Sequence, residues 1–156
     1  MSNSEPQTIK KSFSLSQLAE NFSAQVQKTY ASKYWIRAEI GKLNHYPQSG
    51  HAYPQLLEKK NGAIIADLRG FIAKFSFRSI NHRFKEVNGE HLKDGMQVLI
   101  LCKLNYHPVY GLSLHISDIE PSYTLGEMAR MRQEAINKLK SQGIFDLNKS
   151  KPLAPL

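Results

Sequence analysis

Residues 94–121 read DGMQVLILCKLNYHPVYGLSLHISDIEP. Met96, Val98, Ile100, Cys102 and Leu104 fall on alternate positions, and Leu112, Leu114 and Ile116 repeat the pattern after a break at YHPVYG, residues 106–111. A period of two with one apolar set marks a strand that rests one face on a core. The stretch therefore predicts two long strands joined by a turn, opened by Asp94-Gly95 and closed near Pro121.

Upstream, the same alternation appears in shorter pieces. Tyr34, Ile36, Ala38 and Ile40 alternate with Trp35, Arg37 and Glu39, and Gly41 then marks a bend or bulge. A second strand is predicted over about 50–58, a turn at Asn61-Gly62, and a third strand over about 63–70. Ile64, Ala66 and Leu68 lie on one face of that strand, against Ile65, Asp67 and Arg69. FIAKFSFRSINHRFKEV (71–87) has helix-like spacing, with Phe75 and Phe77 expected in the core. Before all of this, Ser14 and Gln17 form a capping-box pattern. Leu15, Leu18, Phe22 and Val26 follow as the buried stripe of a helix over 15–30.

One helix, three strands, a helix and two strands is the order of an OB-fold, a small partly open barrel. The fold class is mainly β: a five-stranded OB-fold barrel with an N-terminal helix and a C-terminal helical extension. The chain divides into a disordered tail (1–12), a nucleic-acid-binding barrel (13–121), and a helical extension with a linker (122–156). In the extension Leu125, Met128, Ala135 and Leu139 share one side of a charged helix that Gly143 would cap. The final NKSKPLAPL reads as a linker to something further.

A chain of 156 residues with 41% apolar content can bury a core, and global disorder is excluded. No apolar run approaches a membrane span, and the opening MSNSEPQTIKKS lacks a signal peptide's apolar centre. The expectation is a cytoplasmic protein with no membrane partner. Cys102 is the single cysteine and lies in an apolar run, so it reads as a buried hydrophobe. The net charge is +8, and residues 33–85 alone carry +7, from ten Lys and Arg against three Asp and Glu. Clustering of that kind points to a polyanion.

NHYPQSGHAYPQL (44–56) lies within the basic stretch. His45 and His51 are six apart, His107 is remote, and no zinc-type spacing accompanies them, so no metal and no cofactor is assigned. Glu39 and Glu58 sit at strand positions where surface ion pairing accounts for them, so no catalytic residue is assigned either. Aromatic and basic residues together suit single-stranded nucleic acid, whose bases stack on rings while cations meet phosphates. An OB-fold binds on its middle strands and on the loops joining strands 1–2 and 4–5. The candidate binding residues are therefore Trp35, Arg37, Lys42, His45, Tyr46, Ser49, Gly50, His51, Tyr53, Arg69, Tyr106, His107 and Tyr110. Some have plainer readings: Trp35 packs on the first helix or meets a base, and His51 holds the turn or lines the site. Tyr46, Tyr106 and Tyr110 are the favoured platforms, because their loops offer little to bury them. Lys59 and Lys60 stand near enough to meet phosphates.

The chain resembles the large subunit of bacterial exodeoxyribonuclease VII. FSLSQLAENF (13–22) is similar to that family's opening helix, and YWIRAEIGKLN (34–44) to its first strand. SGHAYPQL (49–56) is similar to its Ser-Gly-His-x-Tyr-Phe-x-Leu signature, and DGMQVLI and YGLSLHISDIEP to its last barrel strands. GIFDLNKSKPLAPL (143–156) resembles the turn and linker ahead of its nuclease domain. The resemblance implies a DNA-binding OB-fold over about 1–120, in a larger enzyme that degrades single-stranded DNA from both ends without strict need of a divalent metal. It also implies a small-subunit partner bound through a later helical region, and a piece here that binds without cutting. Ser49, Gly50, His51 and Tyr53 match the signature; Pro54 replaces its aromatic residue, which predicts an edge or a bulge in strand 2. Gly41-Lys42 and the segment after strand 3 also depart from the pattern. The residues alone also fit two other readings: an assembly module docking a partner subunit, and an RNA-binding OB module.

Overall fold

The structure is a computed structural model that describes residues 10–150, with side chains to 143. Most of the tail expected at 1–12 and the end of the linker (151–156) lie outside the described residues.

Helix α1 (Leu15–Thr29) starts as its sequence dictates. The Ser14 hydroxyl accepts from the Gln17 N–H at 3.0 Å, and the Gln17 side chain accepts from the Ser14 N–H at 2.8 Å. Its expected stripe is only half used. Val26 and Ala19 are buried, whereas Leu15 is 82% exposed and Leu18 is open as well. Phe22 meets Tyr106 edge-on at 4.8 Å, so the covered part of the helix is its C-terminal half and the first turn overhangs.

Five strands follow: β1 (Tyr34–Ile40), β2 (Gln55–Lys60), β3 (Ala63–Ile72), β4 (Gln97–His107) and β5 (Gly111–Ile119). They close a barrel in the order β1-β2-β3-β5-β4. Strand β1 pairs antiparallel with β4 along most of its length and with β2 only at its end, Glu39 to Leu57 and Ile40 to Leu56. Gly41 sits at that bend, where an added Cβ would stand 2.8 Å from Gln55 and Leu57 side-chain atoms. Closure comes from a parallel β3–β5 pairing, with Arg69 opposite Ser113 and Phe71 opposite His115.

Strand β2 begins later than expected, because residues 44–54 fold as a loop of their own. Pro54 does not turn β2 into an edge: it is buried just ahead of the strand, its carbonyl accepts from Gly70 N–H at 2.7 Å, and β2 lies between β1 and β3. The bulge falls further on, at Glu58/Lys59. Beyond it the β2–β3 ribbon outruns the barrel, leaving Ile64, Ile65 and Leu68 exposed rather than on a core face.

Helix α2 (Lys74–Asn88) plugs one end of the barrel with Phe77, Ile80 and Phe84, spaced three and four apart. Phe75 lies two positions from Phe77, on the other side of the helix, and is 74% exposed, not core. The barrel core is Ile40, Ile72, Val98, Ile100, Cys102, Leu114, Ile116 and Ile119, the alternate positions of the opening stretch among them. Helix α3 (Pro121–Ser150) docks through buried Thr124, whose hydroxyl donates to the Gln97 carbonyl at 2.7 Å. It runs past Gly143 instead of ending there, and Leu125 and Leu139 are exposed.

Candidate nucleic-acid interface

The loop between β1 and β2 is built by its own residues. Asn44 takes a left-handed conformation (φ 52°), and its backbone carbonyl and side-chain amide both bond Tyr53 at 3.1 Å. Gly50, at φ 78°, lets the tip turn back, and its N–H reaches the Tyr46 carbonyl at 2.7 Å. The Ser49 hydroxyl accepts from His51 N–H at 3.2 Å. Ala52 then exchanges two backbone bonds with Ile72, tying the loop to the end of β3. His51 completes the anchor. Helix α2 has no side-chain cap from Ala73; instead His51 Nδ1 accepts from the Lys74 N–H at 3.0 Å. That bond satisfies one of the helix's orphan donors and, in the neutral ring, leaves the proton on Nε2.

So held, the loop presents a row of rings. Tyr46 meets Tyr53 at 5.6 Å, Tyr53 meets Phe71 at 5.4 Å, and Phe71 meets His115 at 5.3 Å, with His51 5.3 Å to the side of Phe71. The row crosses the outer face of β3 and β5 from one loop toward the other. Two adjoining grooves of about 550 and 500 Å³ follow it and share Tyr53 and Arg69. The first is edged by Tyr46 and Gln48, the second by His107 and Tyr110.

Arg69 is the cation at the centre. Its guanidinium donates to the Tyr110 carbonyl at 3.1 Å, and among the described residues no carboxylate forms an ion pair with it. Lys103 stands opposite His115 across β4 and β5. Desolvation lowers the His115 pKa from its ordinary value, so near neutral pH the ring is an uncharged plate. The arrangement offers flat faces beside a free cation, which suits bases and phosphates together.

The candidate residues separate by where they stand. Tyr46, Tyr53, Arg69 and Tyr110 line the grooves, and Tyr110 is 68% exposed. Ser49, Gly50, His51 and His107 shape them: His107 Nδ1 accepts from Val109 and Tyr110 N–H groups and fixes the β4–β5 turn. Lys42 stands at the start of the loop, its carbonyl bonded to Gln55 N–H. The rest face elsewhere. Tyr106 turns back onto α1, and His45 stacks on Phe77 at 4.5 Å, on the α2 side of the loop. Trp35 and Arg37 line a separate recess with Tyr123 of α3. Nearby, Lys59 is paired with Glu39 at 3.1 Å.

Phe71 and His115 were missed by sequence reasoning. Phe71 keeps phase with Arg69 on the outer face of β3, and His115 lies between Leu114 and Ile116 on the outer face of β5; that alternation was the available signal.

A family model described as an OB-fold nucleic acid binding domain matches residues 13–120. Over 126 residues the chain is 31% identical to the exodeoxyribonuclease 7 large subunit of Deinococcus radiodurans, covering 76% of this chain and 29% of that one. Over 139 residues it is 29% identical to the same-named protein of Campylobacter fetus subsp. fetus, covering 89% of this chain and 32% of that one. The chain thus spans less than a third of the length of these relatives. Since the matched span takes in α1, all five strands and both groove-forming loops, the chain belongs to the family of OB-fold nucleic-acid-binding domains.

Proposed function

We propose that the groove binds single-stranded DNA, with bases stacked on Tyr46, Tyr53, Phe71 and Tyr110 and a phosphate at Arg69. The observation that carries this reading is the solvent-facing row of rings spaced 5.3–5.6 Å apart, with an unpaired guanidinium at its centre. A duplex hides its base faces and cannot use such a row; a single strand can. The relatives' name adds the setting. In a protein of the exodeoxyribonuclease VII large-subunit type the domain holds single strands for exonucleolytic degradation in the cytoplasm, while assembly with a small subunit uses regions outside the matched span. The 156-residue chain binds without cutting. Among the described residues no helix is long and apolar enough to cross a membrane.

The test is anisotropy of a labelled single strand across a salt series, with duplex DNA, RNA of the same sequence and heparin as competitors. Preference for the single DNA strand, weakened in Tyr53→Ala and Tyr110→Ala, is expected. Equal competition by heparin, with those variants unaffected, would leave only a basic surface and favour docking of an acidic partner subunit. Preference for the RNA would identify an RNA-binding module.

A further inference from the structure

On the other side of the β1–β2 loop lies a third groove, of about 600 Å³, that the ring row does not include. Its lining includes His45, Lys74, Phe77, Arg78, Asn81 and His91, and no Asp or Glu is among its lining residues. His82, at its edge, is turned to Glu86 at 3.0 Å. Beside it stands Phe75, an exposed ring that the core does not use, with the Lys74 ammonium and the Arg78 guanidinium each 5.7 Å from its centre. An aromatic face bracketed by two cations, on a helix start with no acidic residue in its first turn, repeats the chemistry of the main groove.

The two sites are joined rather than merely near. His51 touches both: its ring lies against Phe71 of the row, and its Nδ1 holds the Lys74 N–H of the helix. Gly50 brings the loop so close to Lys74 that an added Cβ would stand 2.6 Å from that side chain's Cγ. Phe75 follows Phe71 by four residues in sequence, across the junction of β3 and α2, and is 74% exposed.

We propose that the bound strand continues out of the OB groove, over the β1–β2 loop and onto the start of α2. There Phe75 stacks a further base, and Lys74 and Arg78 take the flanking phosphates. This rests on the strand-binding reading of the main groove and lengthens its footprint.

The experiment compares oligo-dT of about 6 and about 15 nucleotides, lengths that bracket one OB groove. Binding to the 156-residue chain is read by anisotropy. Phe75→Ala with Arg78→Ala forms one variant and Phe71→Ala the other; a thermal melt of each establishes that it is folded. The extension predicts that the helix variant loses about tenfold on the longer strand and stays within about twofold of the parent on the shorter one. Its salt dependence on the longer strand should fall by about 0.7 in log–log slope for the lost phosphate. If the helix variant binds both lengths like the parent while Phe71→Ala weakens both, the extension is wrong and the groove stands. If Phe71→Ala weakens neither, the groove reading fails and the extension fails with it.

Discussion

Phe71→Ala is the perturbation that bears hardest on the site. Phe71 lies at the middle of the row, within 5.3–5.4 Å of Tyr53, His51 and His115. It stands on the outer face of β3, away from the barrel core, so its removal costs packing with three neighbouring rings and opens no central cavity. Cross-strand and aromatic pairs of that kind cost about 1–2 kcal/mol together, which the domain should survive folded. On binding, one lost base platform is worth about 1–3 kcal/mol, and the middle of that range is about 30-fold in Kd. No charge is removed, so the slope of log K against log salt should stay put. Arg69→Ala gives the complementary signature: a slope smaller by about 0.7 for one phosphate, with weaker binding mainly at low salt. The assay is anisotropy of a labelled single strand over a salt series, for the parent, Phe71→Ala, Phe71→Leu and Arg69→Ala. Leucine restores bulk without a π-face and should recover stability more than affinity. A folded Phe71→Ala protein that binds within about twofold of the parent would refute the stacking argument. So would a Phe71→Ala slope that falls as far as that of Arg69→Ala.

Other outcomes follow from the same geometry. His51→Ala removes the side-chain acceptor on α2's first turn and should cost about 1 kcal/mol, seen as a melting midpoint about 4 °C lower; an unchanged midpoint would deny the capping role. Burial raises the Cys102 thiol to about 11 from 9.0, so native protein at pH 8 should resist a thiol reagent that modifies it rapidly once unfolded. The same shift makes stability fall as pH rises from about 9 toward 11, because the unfolded chain releases the proton first, and Cys102→Ala should flatten that limb. His115 has the opposite sign: with its pKa lowered in the fold, stability is present above the ordinary histidine range and drains as pH falls through it. Replacing His115 with Phe should lessen that acid sensitivity in a denaturant titration across pH 5–8, a range that spans the histidine titration.

Strands and helices carry their own periodicity, and their order along the chain is legible in the sequence alone. The alternation at Met96, Val98, Ile100 and Cys102 settles which face is buried, because a slip by one residue would put every side chain on the wrong side. The Ser14 capping box is equally local, since all its partners lie within one turn of helix. The order of elements then leaves a five-stranded barrel as the economical way to bury those faces, and it locates the two loops beside the basic stretch. Lengths are less local: α1's first turn and the far half of the β2–β3 ribbon have apolar residues at the right spacing but nothing packed over them.

The site itself required tertiary structure. A loop has no period, so the direction of each ring depends on what distant chain meets it. Of the two histidines six positions apart, His45 is drawn to Phe77 and His51 to the start of α2. Of two tyrosines in one turn, Tyr106 is claimed by Phe22 while Tyr110 stays in the groove. Phe71 and His115 are 44 positions apart in sequence and become neighbours only through the parallel β3–β5 pairing that closes the barrel. Local spacing determined the walls of this protein; long-range pairing decided which rings stand together on them, because only closure brings those strands side by side.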